Sequence, residues 1–147
     1  MPDRDTETIL SVLRAQEAAT ARSDTAGVLA AFAEDVVLYD LPPPLETRGS
    51  AADGARNLDA WFATWENGVT VELAAPTMLV DGDLAVVFAL SRMRGVKKGA
   101  GPVDQWSRRT VVLARRGNDW CIVHDHGSFP MMMDGSGRAA TDLKPEG

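Results

Sequence analysis

Few side chains in this chain of 147 residues can move a proton, bind a metal or attack a substrate. There are two histidines, one tyrosine and one cysteine, set against four tryptophans. Both histidines fall in one short run, His124-Asp125-His126, among strand-forming residues. Residues i and i+2 of an extended strand share a face, so both imidazoles are expected beside Trp120, Ile122 and Ser128. Such a pair can act as acid, base or metal ligand. With Asp40 or another carboxylate as a third donor, His-x-His could present a metal site. A polar network that positions a substrate is the plainer reading, and no metal is expected. On this reading Asp125 points to the opposite face and pairs with an arginine of a neighbouring strand or subunit.

Arg108 and Arg109 would sit on opposite faces of another strand, so one of them lies on the covered side. A cation there needs a partner, for which Asp40 and Glu72 are candidates. Cys121 is alone and flanked by Trp120 and Ile122, which suits a buried small hydrophobe better than an activated thiol. Met131-Met132-Met133 offers an adaptable apolar surface for packing or dimer contact.

The elements that would position these groups can be read from periodicity. Residues 5–22 predict a helix whose Ile9, Leu13, Gln16 and Thr20 share a face. Ser23 and Asp24 can cap a short second helix that points Val28, Leu29 and Phe32 inward. Residues 36–40 follow as a strand, which Pro42-Pro43-Pro44 ends. A third helix can start at Gly49-Ser50 and carries the inward stripe Leu58, Trp61, Phe62 and Trp65, with Gly68 as its C′ residue. Four long antiparallel strands complete the chain: 69–80, with a bulge or bend at Pro76, then 84–94, 103–116 and 120–129. Residues 131–147 read as a loosely held tail. Three helices and an early strand followed by a meander make an α+β layout, helices on one side of a curved sheet, within a single domain over 1–147.

Composition narrows the function classes. Apolar residues make up 45% and charged residues 24%, as in an ordinary soluble domain, and the chain is long enough to bury its own core. A net charge of −6 would repel phosphate backbones, so no nucleic-acid partner is expected. Arg92, Arg94, Lys97 and Lys98 cluster around glycines, as a solvated hairpin tip does. No apolar run approaches the length of a membrane span and the first residues lack the apolar stretch of a signal peptide, so the expectation is a cytoplasmic protein away from membranes. There is no G-x-G-x-x-G, Walker A lysine motif, nucleophile elbow or cysteine pair, and no cofactor is expected.

Several segments in this order resemble the NTF2-like superfamily, in its SnoaL-like and ketosteroid isomerase-related branch. They are Asp24…Phe32-Ala33-Glu34-Asp35-Val36, Tyr39-Asp40-Leu41-Pro42-Pro43-Pro44-Leu45, Arg48-Gly49, Gln105-Trp106-Ser107-Arg108-Arg109-Thr110 and Trp120-Cys121-Ile122-Val123-His124-Asp125-His126, together spanning roughly residues 5–130. The resemblance implies a cone in which three N-terminal helices pack on a strongly curved antiparallel sheet around an apolar pocket. It also implies a homodimer formed through the other sheet face.

The resemblance puts Asp40 in the position of the general-base aspartate of ketosteroid isomerases. A carboxylate facing an apolar cavity can shuttle a proton between carbons of an enolisable ketone. Those enzymes stabilise the enolate with a tyrosine and a protonated aspartic acid. Here Gln16 occupies the tyrosine position, and the second acid, expected on the strand near Trp106 to Arg108, has no carboxylate at those positions. Asp40 could instead hold Arg48 or cap the proline loop. In a cone, core and pocket lining are continuous, so one or two of Trp61, Trp65 and Trp106 should bound the cavity and select a flat or apolar ligand.

The sequence therefore leads to a SnoaL-like enzyme without a cofactor, of isomerase, cyclase or hydratase type, acting on a small apolar organic ligand. Its catalytic candidates are Asp40, His124 and His126, with Gln16, Trp61, Trp65, Trp106 and Ser128 binding substrate. A non-catalytic ligand-binding or association module of the same fold is the alternative, and a metal-dependent enzyme built on His124 and His126 a weaker one.

Overall fold

In a computed structural model that describes residues 3–49 and 52–146, the chain opens with helix α1 (Arg4–Ala21). Asp3 caps it: its carboxylate accepts a hydrogen bond from the Thr6 amide at 2.8 Å, satisfying one of the orphan donors of the first turn. Ile9, Leu13, Gln16, Ala19 and Thr20 form its buried face. Asp24 caps the short α2 (Thr25–Leu29) in the same way, through the Gly27 amide at 3.0 Å. Strand β1 (Phe32–Tyr39) leads through the proline loop to β2 (Thr47–Arg48) and α3 (Ala52–Phe62). The third-helix start expected at Gly49-Ser50 falls partly outside the described residues.

Four long strands follow: β3 (Trp65–Asp81), β4 (Leu84–Lys97), β5 (Gly101–Arg116) and β6 (Asp119–Ser128). Together the strands make one curved six-stranded sheet in the order β2-β1-β6-β5-β4-β3, with the helices toward one face, an α+β arrangement. The sheet is not wholly antiparallel, as had been expected. β1 runs parallel to β6, with Leu38 beside Asp125 and Tyr39 beside His126. Most of the chain lies between these two strands in sequence, which makes a parallel pairing topologically accessible.

Two further expectations change. Trp65 belongs to β3 rather than to α3, because the helix stops at Phe62, three residues before it. Gly68 serves a bulge in β3 instead of a helix end: with Asn67 it takes positive φ (88° and 66°) where the β3–β4 register slips between Glu66 and Val69. The bulge expected at Pro76 is present, between Ala74 and Thr77. Of the C-terminal tail, Met131 pairs with Ala139 in an isolated bridge, the Ala140 amide donates to the Pro130 carbonyl at 2.7 Å, and Ala140 is buried.

The core has two parts. Ile9 and Leu13 of α1 pack with Val36, Val87, Val111, Leu113 and Ile122. Fully buried side chains of this kind each contribute about 1.5–3 kcal/mol. A second cluster gathers Ala19, Val28, Phe62, Trp65 and Val69, with Leu58, Trp61, Met93 and Val103 against it.

Candidate functional site

The polar groups that could do chemistry are sorted onto two sheet faces by one extra residue in β6. Val112 pairs with His124, but Leu113 pairs with Ile122, so Val123 is a bulge. A single inserted residue inverts the alternation beyond it. Trp120 and Ile122 enter the core under α1, and after the bulge it is Asp125 that points to the helix side. His124 and His126 turn to the opposite face. The expectation that both imidazoles share a face with Trp120 and Ile122 is corrected by this bulge. Their expected company with Ser128 stands, since Ser128 lies in register with the outward Arg108, whose Nε donates to its Oγ at 3.2 Å.

On the helix side, Arg109 of β5 reaches between the strands. Its Nε and Nη2 donate to the two carboxylate oxygens of Asp125 at 3.0 and 2.7 Å, and Nη2 also donates to Gln16 Oε1 at 2.9 Å. The partner of the covered arginine is therefore Asp125, not Asp40 or Glu72. Gln16 is buried and committed on both ends, since its Nε2 donates to the Val28 carbonyl at 3.3 Å. Through its Oε1 it holds Arg109 in place. Burial disfavours the Arg109 charge, but the charge of Asp125 and its hydrogen bond, with Glu17 and Asp40 nearby, outweigh this and keep the guanidinium firmly protonated.

Asp40 lies just past the end of β1, two residues beyond the inward Leu38. Its Oδ1 accepts from the Leu41 amide at 2.8 Å; Arg48 pairs with Glu46 instead. The residue is exposed by surface area, yet protein atoms crowd its carboxyl. Both hold at the mouth of a cavity, and the direction of the effect is that of a partly desolvated acid. Burial pushes the carboxyl above the ordinary carboxylate range; the Leu41 amide acts against this, the charge of Asp125 with it, and Arg109 against it. The cavity, of about 780 Å³, is lined by residues 39–46 together with His126 and Gly127. It thus joins Asp40 and His126 around the end of β1.

On the outer face His124 Nδ1 meets the Val37 carbonyl at 2.7 Å, and Tyr39 stands edge-on to His124 and His126, with ring centroids at 4.7 and 5.3 Å. Among the described residues no group of three or more His, Cys, Asp or Glu gathers as a metal site. Trp61 and Trp65 pack edge-to-face at 5.8 Å in the second core cluster, with the Lys97 ammonium 4.3 Å from the Trp65 ring. Trp106 does not join them. It lies in register with Arg92, whose guanidinium sits 5.4 Å from its ring, on the face away from the helices. Trp106 faces that way because β5 alternates regularly from the inward Arg109, and none of Trp61, Trp65 and Trp106 is among the residues that line the cavity at the end of β1. Cys121 is half-buried, with its Sγ 3.6 Å from the Ala114 carbonyl.

The expected pairing of Asp125 with an arginine of a neighbouring strand is found, with Arg109 of β5 as the partner. Gly127 is a cavity residue that sequence reasoning passed over, since a glycine within a strand carries no signal of what it lines.

Comparisons with known proteins agree on the fold. Residues 9–132 match the family model described as the SnoaL-like domain. An NTF2-like protein of unknown function from Pseudomonas putida KT2440 superposes with a TM-score of 0.85 at 27% identity, covering 99% of each chain. A proposed aromatic ring hydroxylase from Novosphingobium aromaticivorans has a TM-score of 0.75 at 25% identity, over 90% of this chain and 93% of that one. A proposed dehydratase of the NTF2-like family from Streptomyces avermitilis gives 0.76 at 20% identity, over 89% and 99%. No curated protein matches by sequence. No helix among the described residues is long and apolar enough to cross a membrane.

Proposed function

Because the chain belongs to the SnoaL-like domain family of the NTF2-like superfamily, we propose that it binds a small organic molecule at the end of β1 and catalyses proton transfer on it, as an isomerase, cyclase or hydratase. One observation carries this reading: Asp40 borders a cavity of about 780 Å³ with its carboxyl desolvated and its pKa raised. A raised carboxyl pKa brings an acid closer to the range in which it can both take and return a proton near neutrality. His126, at the same cavity, is the second titratable group able to assist or orient the ligand.

The test needs no natural substrate. An enolisable bicyclic ketone such as 2-tetralone, incubated in D2O and followed by NMR, should exchange its α-protons faster with the protein than with buffer. Asp40→Asn should abolish the gain while leaving ketone affinity within a few fold. Equal exchange by wild type and Asp40→Asn would remove Asp40 from the chemistry and leave the ligand-binding module.

A second copy of the chain is the partner that fits the outer sheet face. Leu79, Phe88 and Leu90 are 59%, 43% and 42% exposed on the face opposite α1. The accessible surface is 9108 Å², against about 7,300 Å² for a compact protein of this mass. Uncovered apolar sheet of this kind marks association surfaces.

A further inference from the structure

Three of the five N–H donors of a guanidinium sit on Nε and Nη2, and in Arg109 these two nitrogens are engaged by Asp125 and Gln16. The other two sit on Nη1, which has no hydrogen-bond partner among the described residues. Nη1 is not a sealed orphan either: the buried, unpaired side-chain nitrogen among the described residues is Trp65 Nε1. A largely buried fork fixed along one edge thus keeps two donors without a protein partner among the described residues. Directly across the ladder from Arg109 stands Gly127, which lines the same cavity as Asp40. Leu41, next to Asp40, lies over Gly127, 3.5 Å from where a Cβ would be.

We propose that Arg109, through Nη1, binds the oxygen of the substrate's carbonyl and holds the negative charge that forms there when Asp40 takes a proton. This rests on the acid–base reading above and supplies what that reading lacked, because Gln16 is spent on positioning. In the step, the carboxylate of Asp40 accepts the proton from the carbon next to the carbonyl. The C–H electron pair becomes the C=C bond of the enolate, and the carbonyl π pair moves onto oxygen. Return of the proton to carbon reverses these shifts and regenerates the carboxylate.

The electrostatics favour a neutral carbonyl compound over a carboxylate ligand. Asp125 already neutralises Arg109, and Asp40 adds a negative charge, so a ligand that arrives charged is repelled. A ligand that gains its charge by handing a proton to Asp40 leaves the total around Arg109 unchanged. A donor prearranged for charge that develops only during reaction costs no reorganisation at that moment.

The test uses 2-naphthol, a planar hydroxyarene shaped like the enol of 2-tetralone, titrated against the whole protein, with absorbance reporting how much is bound as naphtholate. Arg109→Lys keeps the charge but loses the planar fork. It should weaken binding about ten- to a hundredfold, the worth of one charge-assisted hydrogen bond. Asp125→Asn removes a competing charge while keeping the shape and should tighten naphtholate binding several fold. A purely structural role for Arg109 predicts no such opposite signs. Should Arg109→Lys fail to fold, Asp125→Asn decides alone, with unchanged or weaker binding overturning the assignment. Absence of naphthol binding to the wild type, or binding by folded Arg109→Lys within twofold of wild type, would also overturn it. If tetralone exchange still depends on Asp40 in that case, Arg109 alone is excluded; if exchange does not depend on Asp40, the acid–base reading has failed instead.

Discussion

Arg109 grips both carboxylate oxygens of Asp125 beneath α1, at 2.7 and 3.0 Å, with their side chains only 14% and 15% exposed. Charges withdrawn from water this far are tolerated only in pairs, and each partner here is the other's main compensation. The pair also divides the molecule's chemistry, since it faces the helices while both histidines face away.

Asp125→Ala should therefore destabilise the fold by about 3–5 kcal/mol, because it leaves a buried guanidinium without its counter-charge. The urea unfolding midpoint measures this. The double change Arg109→Met with Asp125→Leu should recover much of the loss, since a well-packed apolar pair avoids the desolvation cost. A double variant no more stable than Asp125→Ala would show that the fold needs the charges themselves.

Asp40 should make stability depend on pH in the sense opposite to an ion-paired acid. Its folded carboxyl binds its proton more readily than in the unfolded chain, so its destabilising effect is absent below the unfolded carboxylate pKa. The effect grows as pH rises through the raised folded value and is complete above it. Asp40→Asn should thus raise the melting temperature at neutral pH, with the gain shrinking toward acid. A gain that is independent of pH would mean that the carboxyl is not desolvated.

Gly95 is demanded by close packing rather than by backbone conformation. A Cβ there would lie 2.8 Å from Trp65 Cε3 and 3.0 Å from the Gly68 carbonyl oxygen. Both neighbours are held, the indole by the second core cluster and the carbonyl by the bulge. Gly95→Ala should cost about 1–3 kcal/mol in denaturant titration, whereas alanine at the open Gly54 should change little.

If two copies pair through the outer sheet face, Phe88→Lys with Leu90→Lys should halve the mass measured by light scattering while leaving the far-ultraviolet circular dichroism intact. An unchanged mass would place the contact elsewhere.

The start of α2 was legible because its cause is local. Asp24 lies where a capping carboxylate meets the first free amides, and the buried stripe of α1 follows from its period. The Pro76 bulge was legible for the same reason, since a proline cannot donate to a ladder. What misled was alternation read too far. His124 and His126 share parity with Trp120 and Ile122, and only the bulge at Val123 separates their faces. No residue type in that run announces an insertion; it follows from fitting β6 against β5 and β1 together. Trp65 was drawn into the helical stripe because three-residue spacing does not say where a helix stops.

The sequence by itself determined the elements, their order, the family resemblance and the short roster of groups able to do chemistry. Each of those depends on neighbours within a few residues, or on motifs in series. Tertiary structure alone decided which arginine Asp125 takes and that Gln16 holds it, that β1 runs parallel to β6, and that both histidines lie on the sheet face away from the helices. Those outcomes turn on strand register and on the charge balance of a buried space, quantities that exist only once distant segments meet.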